Sequence, residues 1–491
     1  MKLKLYILLL SFFVVTQLQA QKIYKSAQEK IPSKYLDYEI LGTNKIGTVI
    51  HYFGDNNEHE LAILDDKLNT VYRKEIPIQD KNISVDEFLL TDDNILLFYT
   101  VKESNREHFL KMQVIDQQLN LSKKAYIIDS VATDYNSDQN FYVRYSPDKS
   151  KIVCFTILSK KNNFFVRFNI LNSNLNIIGR NVFTIQDKNN IYLKSFRLSN
   201  QGNVLAVFAH KNNWSSDEYD YEKFTTMVYN LQEKKIAEAE ISGMHKSYKN
   251  LVTDVNLTEE TAYIICGYKD YENKSDIGFY FKIINILTNE TISEQYMALK
   301  EEDLKLSKTF DFKNWRDNVT TLKIKKVIPR SDGGFIFAAE GEMIYTSILQ
   351  SGNSTFNNYN PYFSDPYVRY SNKYQFNDVL VYSINPNGTI DWQNTIVKSQ
   401  VSENDKGWYS SFAFFEAQNA IKFLYNEDIS SNGNFIDYTI NPNGLYKRES
   451  LLNAHKEKLN LVTNKALQTD GNTIIIPSEE KRIRQFIKIV Y

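Results

Sequence analysis

The histidines are the first residues to consider, because an imidazole can act in catalysis or bind a metal near neutral pH. The chain has six of them. His59-Glu60 begins like a zinc motif, but no second histidine follows at the required spacing, and no G-x-S-x-G nucleophile elbow occurs. His51 and His210 end two predicted strands, where a structural role is expected. The sequence therefore predicts no metal site and no cofactor, and it identifies no catalytic residue.

Aromatic side chains concentrate in long polar segments at 211–224, 300–320, 349–376 and 398–409. Tyr and Trp offer rigid contact area with a polar tip, as in many binding surfaces. The alternative for each of them is packing of its own segment onto the scaffold. The candidate binding residues are Trp214, Tyr219, Tyr221, Trp315, Arg316, Tyr359, Tyr362, Phe363, Tyr367, Arg369, Tyr370 and Trp408.

The scaffold that must position these segments is a repeat. Residues 61–69, 112–120 and 168–176 each run from apolar residues through an Asp or Asn to a final Leu-Asn pair. Strand-forming residues alternate with Asn, Asp and Gly turns throughout, with a period of about 50 residues. This pattern predicts an all-β protein, and in particular a single β-propeller over residues 21–491.

The repeats predict eight four-stranded blades, with seven as the alternative. Their boundaries are 35–78, 84–130, 139–185, 192–242, 249–298, 321–397, 410–452 and 461–491. The last repeat is one strand short, and residues 22–32 resemble the outer strand of the first repeat. We therefore expect an N-terminal strand to complete the final blade and close the ring.

The connections between predicted strands fall into two classes. First-to-second and third-to-fourth connections are short turns, whereas second-to-third and blade-to-blade connections include every long segment. In an up-and-down blade the two long classes emerge at the same end. Because binding residues concentrate on long loops of rigid scaffolds, this end is the expected functional face.

The first twenty residues read as a secretory signal peptide, with Lys2 and Lys4 before an apolar run of residues 5–15 and Ala20 before the expected cleavage point. That run is too short to span a bilayer, and no later segment is long enough. We expect a periplasmic or secreted protein. Removing two of the 58 Lys and Arg residues, against 59 Asp and Glu, leaves a formal charge of −3. This value does not indicate a nucleic-acid partner. Cys154 and Cys266 lie in apolar strands, where buried free thiols are expected.

One stretch carries a resemblance to known proteins. Residues 377–392, with 396–400 and 423–428, resemble uncharacterised secreted proteins common in Bacteroidetes, and the signal peptide ending in Ala-Gln fits that group. The Asn-Gly-x-x-x-Trp ending also looks like one blade of quinoprotein-type propellers. The first resemblance implies a propeller and an extracytoplasmic setting, and neither implies an activity or a cofactor.

Together these features predict a monomeric binding or scaffold protein that recognises a glycan, a peptide or a protein partner through its long-loop face. The alternative is a polysaccharide-active hydrolase or lyase. Its paired carboxylates cannot be found from spacing, because a repeat fold brings distant residues together. A carboxylate cluster, or a His with Arg and Tyr, at the channel mouth would favour this alternative.

Overall fold

The computed structural model describes residues 21–55, 57–104, 107–132, 140–160, 162–186, 190–211, 220–256, 260–273, 276–300, 322–349, 369–429, 433–454 and 456–491. Within these ranges the protein is all-β, as expected, with one 3₁₀ turn at Thr463–Lys465 and no α-helix. None of the described helical segments is long and apolar enough to cross a membrane.

The described strands form seven antiparallel sheets, built almost entirely from strands consecutive in the chain. Two short strands come first, β1 (Lys22–Lys25) and β2 (Glu29–Lys30). Sheet 1 contains β3 (Asp37–Asn44), β4 (Gly47–Phe53), β5 (His59–Leu64) and β6 (Thr70–Glu75). Sheet 2 contains β7 (Ile83–Leu90), β8 (Ile95–Lys102), β9 (Glu107–Ile115) and β10 (Tyr126–Ala132). Sheet 3 contains β11 (Phe141–Tyr145), β12 (Lys151–Lys160), β13 (Asn163–Asn172) and β14 (Ile177–Gln186).

Sheet 4 has eight strands: β15 (Ile191–Leu198), β16 (Val204–Lys211), β17 (Tyr221–Asn230), β18 (Lys235–Ser242), β19 (Lys246–Val255), β20 (Thr261–Asp270), β21 (Ile277–Asn285) and β22 (Thr291–Ala298). Sheet 5 contains β23 (Leu322–Pro329), β24 (Phe335–Leu349), β25 (Arg369–Ile384), β26 (Ile390–Ile396) and β27 (Gln400–Glu403). Sheet 6 contains β28 (Ala413–Ala417), β29 (Ala420–Asn426), β30 (Asn434–Ile440) and β31 (Tyr446–Asn453). Sheet 7 contains β32 (Leu467–Asp470), β33 (Thr473–Glu480) and β34 (Ile483–Val490), joined by β1 and β2.

Burial differs between the middle and the outer strands of each sheet. The first six residues of β16, Val204 to Ala209, are all buried, whereas every residue of β6 is exposed. A middle strand packs on a neighbouring sheet through both faces, so it needs apolar residues at consecutive positions rather than in alternation. This is why the sequence shows short apolar runs.

The segment that recurs at 61–69, 112–120 and 168–176 forms the turn between the third and fourth strands of its sheet. In its first copy the carboxylate of Asp65 accepts the backbone N–H groups of Lys67 and Asn69, at 2.9 and 2.8 Å. In the other two copies, the side-chain oxygens of Asp116 and Asn172 accept the backbone N–H groups of the residues two and four positions later. The leucines of the three copies have φ values of 65°, 60° and 62°, a left-handed conformation that is costly for leucine. Leu68 and Leu119 are nevertheless almost fully buried, so the turn places an apolar side chain in the core.

Hydrophobic clusters lie between successive sheets. The cluster between sheets 1 and 2, which we call the first interface, includes Leu61, Leu97 and Leu119. The cluster between sheets 7 and 1, which we call the seam, joins Ile475 and Phe486 to residues of sheet 1. Burial of apolar area between sheets is the main favourable contribution to such packing.

The N-terminal strand pairs with the C-terminal one, as the sequence predicts. β1 runs antiparallel to β34, from Lys22 opposite Val490 to Lys25 opposite Ile487. Next to it, the Ser26 hydroxyl accepts the N–H of Phe486 at 2.9 Å. Sheet 7 therefore has strands from both ends of the chain.

β24 and β25 extend beyond the rest of sheet 5 as a long hairpin, which pairs as far as Leu349 opposite Arg369. Cys154 and Cys266 are free and buried, as the sequence predicts.

Candidate functional site

Most of the predicted binding residues lie outside the described residues. These are Trp214, Tyr219, Trp315, Arg316, Tyr359, Tyr362, Phe363 and Tyr367. The backbone of Arg369 and Tyr370 begins β25, at the tip of the long hairpin. Tyr221 and Trp408 can be placed with their contacts.

Tyr221 is buried rather than displayed at a surface. It belongs to the hydrophobic cluster of sheet 4, with its ring centroid 5.9 Å from that of Phe224. The Lys194 ammonium lies 4.6 Å from the Tyr221 ring centroid, within cation–π range. Tyr221 thus packs against the scaffold, which is the alternative to a binding role that the sequence leaves open for each aromatic residue.

Trp408 lies in the connection from sheet 5 to sheet 6, beside Lys465. The Lys465 ammonium is 4.3 Å from the Trp408 ring centroid and 4.1 Å from that of Tyr38, and it pairs with Asp37. Burial, and then the positive charge of Arg484, lower the pKa of Lys465 to about 8. The two aromatic rings therefore hold the Lys465 amine, a polar group, in a fixed position at this end of sheet 1.

The connection that carries Trp408 is itself anchored by a buried ion pair. The Lys398 ammonium lies 2.7 Å from the Glu340 carboxylate, and both groups are buried. The Ser411 hydroxyl donates to the same carboxylate at 2.5 Å. Burial lowers the pKa of Lys398, although Glu340 opposes this. The sequence gives no sign of this pair, because Glu340 ends an apolar run of β24.

A cleft of about 550 Å³ lies between sheets 1 and 2, at the end where second-to-third and sheet-to-sheet connections emerge. Its walls come from the segment before β3, the β4–β5 connection and the link from β6 to β7. We call it the His59 cleft. It is lined by Lys34, Tyr35, Asn57, Glu58, His59, Glu75, Ile76, Pro77, Ile78, Asp80, Asn82 and Ile83. Its volume is in the range of small-molecule pockets, and its lining is more polar than most.

His59 is held in this cleft by a chain of hydrogen bonds. Its Nδ1 lies 2.9 Å from His51 Nε2, and His51 Nδ1 lies 2.8 Å from the Glu39 carboxylate. Phe88 covers the buried His51 ring at 4.2 Å between centroids. The bond between His51 Nε2 and His59 Nδ1 holds one hydrogen, and the tautomers set which ring donates it. His59 Nε2 takes no part in this chain of bonds.

The charge state of His59 bears on what this arrangement can do. Burial, and then the neighbouring His51, lower the pKa of His59 to about 4. A general base works best when its pKa is near the operating pH. His59 is therefore a weak base at neutral pH, but its ring nitrogens can still form hydrogen bonds.

The polar walls of the cleft are held in place by further contacts. The Asn57 side chain donates to the carbonyl of Ile83 at 3.2 Å. Asp80 accepts from the Tyr99 hydroxyl at 2.9 Å and from Lys111 at 3.1 Å. Their positions are thus set by contacts within the protein.

No group of three His, Cys, Asp or Glu side chains in the described part of the chain could hold a metal ion. The sequence predicts a structural role for His51 and shows only an incomplete zinc motif at His59. It does not reveal their contact, because residues eight apart meet here only through the pairing of β4 with β5.

Comparison with known proteins adds little. No protein-family model and no curated protein matches the chain. Among solved structures, a europium-containing methanol dehydrogenase is similar at a TM-score of 0.42 and 7% identity, over 94% of this chain and 93% of that one. An oligogalacturonate lyase in complex with manganese has a TM-score of 0.34 and 9% identity, over 85% and 97%.

A puromycin hydrolase S511A mutant has a TM-score of 0.29 and 7% identity, over 64% of this chain. The chain covers about half, 52%, of that hydrolase. At these scores the likenesses carry no argument about function.

Proposed function

We propose that the chain is a β-propeller of eight four-stranded blades, closed into a ring by β1. In sheet 4 a single ladder pair, Tyr221 opposite Tyr248, joins β17 to β19, so the sheet divides into two four-stranded units, which makes eight units with the other six sheets. The first strands of successive units contact one another, including β32 and β3. β23 approaches β28 through Lys326 and Phe414. The hydrophobic cluster at the seam also supports closure.

Deletion of residues 22–32 tests the closure. We expect a lower Tm, because β34 loses its outer partner, and partial recovery when a peptide of residues 22–32 is added. A scrambled peptide is the control. An unchanged Tm on deletion would contradict closure by β1.

We further propose that the protein is a non-enzymatic binding protein, with its ligand on the long-loop face. The observation that carries this proposal is the His59 cleft, a polar cavity of about 550 Å³ at the long-loop end of the first interface. A neutral His59, the amides of Asn57 and Asn82 and the carboxylate of Asp80 would supply hydrogen bonds to a glycan or a peptide. Trp408 and Lys465 lie at the same end of the neighbouring units.

A glycan and peptide array with the mature protein tests this function. Ligands that bind wild-type protein should bind His59→Ala and Asn57→Ala at least about tenfold more weakly, since each loses a polar contact. His245→Asn is the matched control, because His245 lies in an exposed turn beside Glu272, 3.3 Å away. Equal binding by the cleft variants and the control would place the ligand elsewhere.

We also propose that the protein acts outside the cytoplasm after cleavage near Ala20, as the resemblance to secreted proteins suggests. N-terminal sequencing of the protein from cell fractions tests this. An intact N-terminus on a cytoplasmic chain would contradict it.

A further inference from the structure

The charges on the first strands of the eight units are unevenly distributed. Strands β28, β32, β3 and β7 have acidic residues and no Lys or Arg. The acidic residues are Glu416, Asp470, Asp37, Glu39, Asp86 and Glu87. We call these four strands the acidic arc.

The other four first strands have the opposite charge. There is one Lys or Arg in β11, two in β15, two in β19 and three in β23, against Asp254 as the single acidic residue. We call these strands the basic arc. Because neighbouring first strands contact one another along each arc, the charges separate by side rather than mix.

Several cations of the basic arc have neutral partners. Arg197 donates to the carbonyl of Thr253 at 3.0 Å, and Lys323 donates to the side-chain oxygen of Asn250 at 3.0 Å. Lys326 lies 5.3 Å from the Phe414 ring centroid. By contrast, Lys246 is neutralised by Asp270 and Asp276. Arg197, Lys323 and Lys326 thus keep positive charge that these contacts do not cancel.

On the acidic arc, Asp37 is paired with Lys465, and the remaining negative charge lies on the other carboxylates. Burial raises the pKa of Asp86 to about 7, and burial together with the charge of Glu39 raises that of Glu87 to about 7. Arg144, at the edge of the basic arc, lies 3.9 Å from Glu87. An anion on this side would meet Glu39 and the partly ionised Glu87, and it would be repelled.

In the closed ring proposed above, on which this inference rests, the first strands surround the central channel. We propose that the channel binds a small carboxylate ligand on its basic arc, through Arg197, Lys323 and Lys326. The acidic arc confines the carboxylate to that side. Tyr192 and Tyr145 are exposed on β15 and β11, so the basic arc also carries aromatic surface. Arginine and lysine on rigid strands are suited to bind carboxylates, since their positions are set before the ligand arrives.

Isothermal titration of the mature protein tests this site with three probes. Glucuronate is an acidic sugar, succinate is a carboxylate without a sugar ring, and glucose is the neutral counterpart of glucuronate. We expect glucuronate to bind and glucose not to bind, with weaker binding as salt screens the charges. Binding of succinate as well would show that any small carboxylate suffices, whereas its failure would restrict the class to acidic sugars.

The variants Arg197→Gln and Lys326→Gln should each weaken glucuronate binding about tenfold. Lys235→Gln, on the exposed outer strand β18, is the matched control and should have no effect. Circular dichroism confirms that each variant is folded, and two independent variants guard against a local effect at either one. Equal binding of glucose, an equal loss in the control, or no binding of either carboxylate at about 10 mM would overturn the proposal.

Different measurements distinguish a failure of the channel site from a failure of the proposed function. The Tm of the 22–32 deletion reports on the ring, and His59→Ala reports on the cleft. Glucuronate binding that depends on Arg197 and Lys326 but not on His59 would support the channel site even if the array shows no ligand for the cleft.

Discussion

The seam and the first interface join sheet 1 to its two neighbours in different ways. In the seam, the guanidinium of buried Arg484 stacks 3.1 Å from the Tyr38 ring centroid and pairs with Glu479 at 2.8 Å. The first interface is mainly aliphatic, with Leu61, Leu97 and Leu119, and it opens into a polar cleft at one end.

This difference follows from how the chain connects the sheets. A short link from β6 to β7 holds sheets 1 and 2 together, so their interface can tolerate a cavity. The seam joins residues more than 400 positions apart, for example Lys465 to Asp37. There, directional contacts between Arg and Tyr set the relative position of the sheets, since apolar contact alone is not directional.

The largest effect is expected in the seam from Arg484→Met. It leaves the carboxylate of Glu479 partly buried without its partner, which should cost about 3 kcal/mol in the free energy of unfolding. Denaturant titration measures this. Arg180→Met, on an exposed outer strand, should have almost no effect. If Arg484→Met were equally harmless, the seam would depend on apolar packing alone, as the first interface does.

Leu119→Gly tests the first interface. It removes a buried side chain but relieves the left-handed backbone, so we expect a net loss of about 2 kcal/mol by denaturant titration. Leu68→Gly makes the same change in the seam and should cost a similar amount. A much larger cost for Leu68 would mean that the seam also depends more heavily on its apolar packing.

The cleft end of the first interface should respond to pH through His59. Its pKa is about 4 in the folded protein and 6.5 as the ordinary value, so between these values the unfolded chain binds the extra proton. The contribution of His59 to stability is therefore complete above pH 6.5 and declines as the pH falls toward 4, by up to about 1 kcal/mol per pH unit.

Comparing wild type with His59→Gln in denaturant titrations at pH 7 and pH 5 isolates this contribution. The difference in stability between the two proteins should shift in favour of the variant at pH 5. A difference that does not change with pH would mean that His59 is charged or well solvated in the folded state.

The smallest effect is expected from Lys234→Gly, which separates backbone strain from burial. Lys234 has a φ of 57° and is exposed, so glycine removes strain without removing a core contact. We expect a gain of up to about 1 kcal/mol, seen as a higher Tm. A lower Tm would show that the stability changes of Leu68→Gly and Leu119→Gly cannot be explained by burial and backbone strain alone.

Much of the scaffold could be predicted because it depends on local patterns. The segment at 61–69 recurs because each copy needs the same turn. An Asp or Asn side chain accepts the backbone N–H groups two and four residues later, and the Leu that follows it reaches the core in the first two copies. The match of residues 22–32 to an outer strand likewise predicted the pairing of β1 with β34.

The site could not be predicted in the same way, because it depends on register and on neighbouring sheets. His51 contacts His59 only through the pairing of β4 with β5, and Lys465 meets Trp408 from a different connection between sheets. The two charged arcs require the order of the first strands around the molecule. Composition alone does not predict whether an aromatic residue near a polar loop is exposed, since Tyr221 is such a residue and packs in the core.

The pairing of β1 with β34 also has a consequence for the timing of folding. A ribosome releases β1 long before β34, so β1 must wait until its partner has been made. During that interval β1 and the open side of sheet 1 are exposed to wrong partners, including another copy of the chain. The delay between the two strands thus sets how long β1 can pair with a strand of a neighbouring molecule instead of its own.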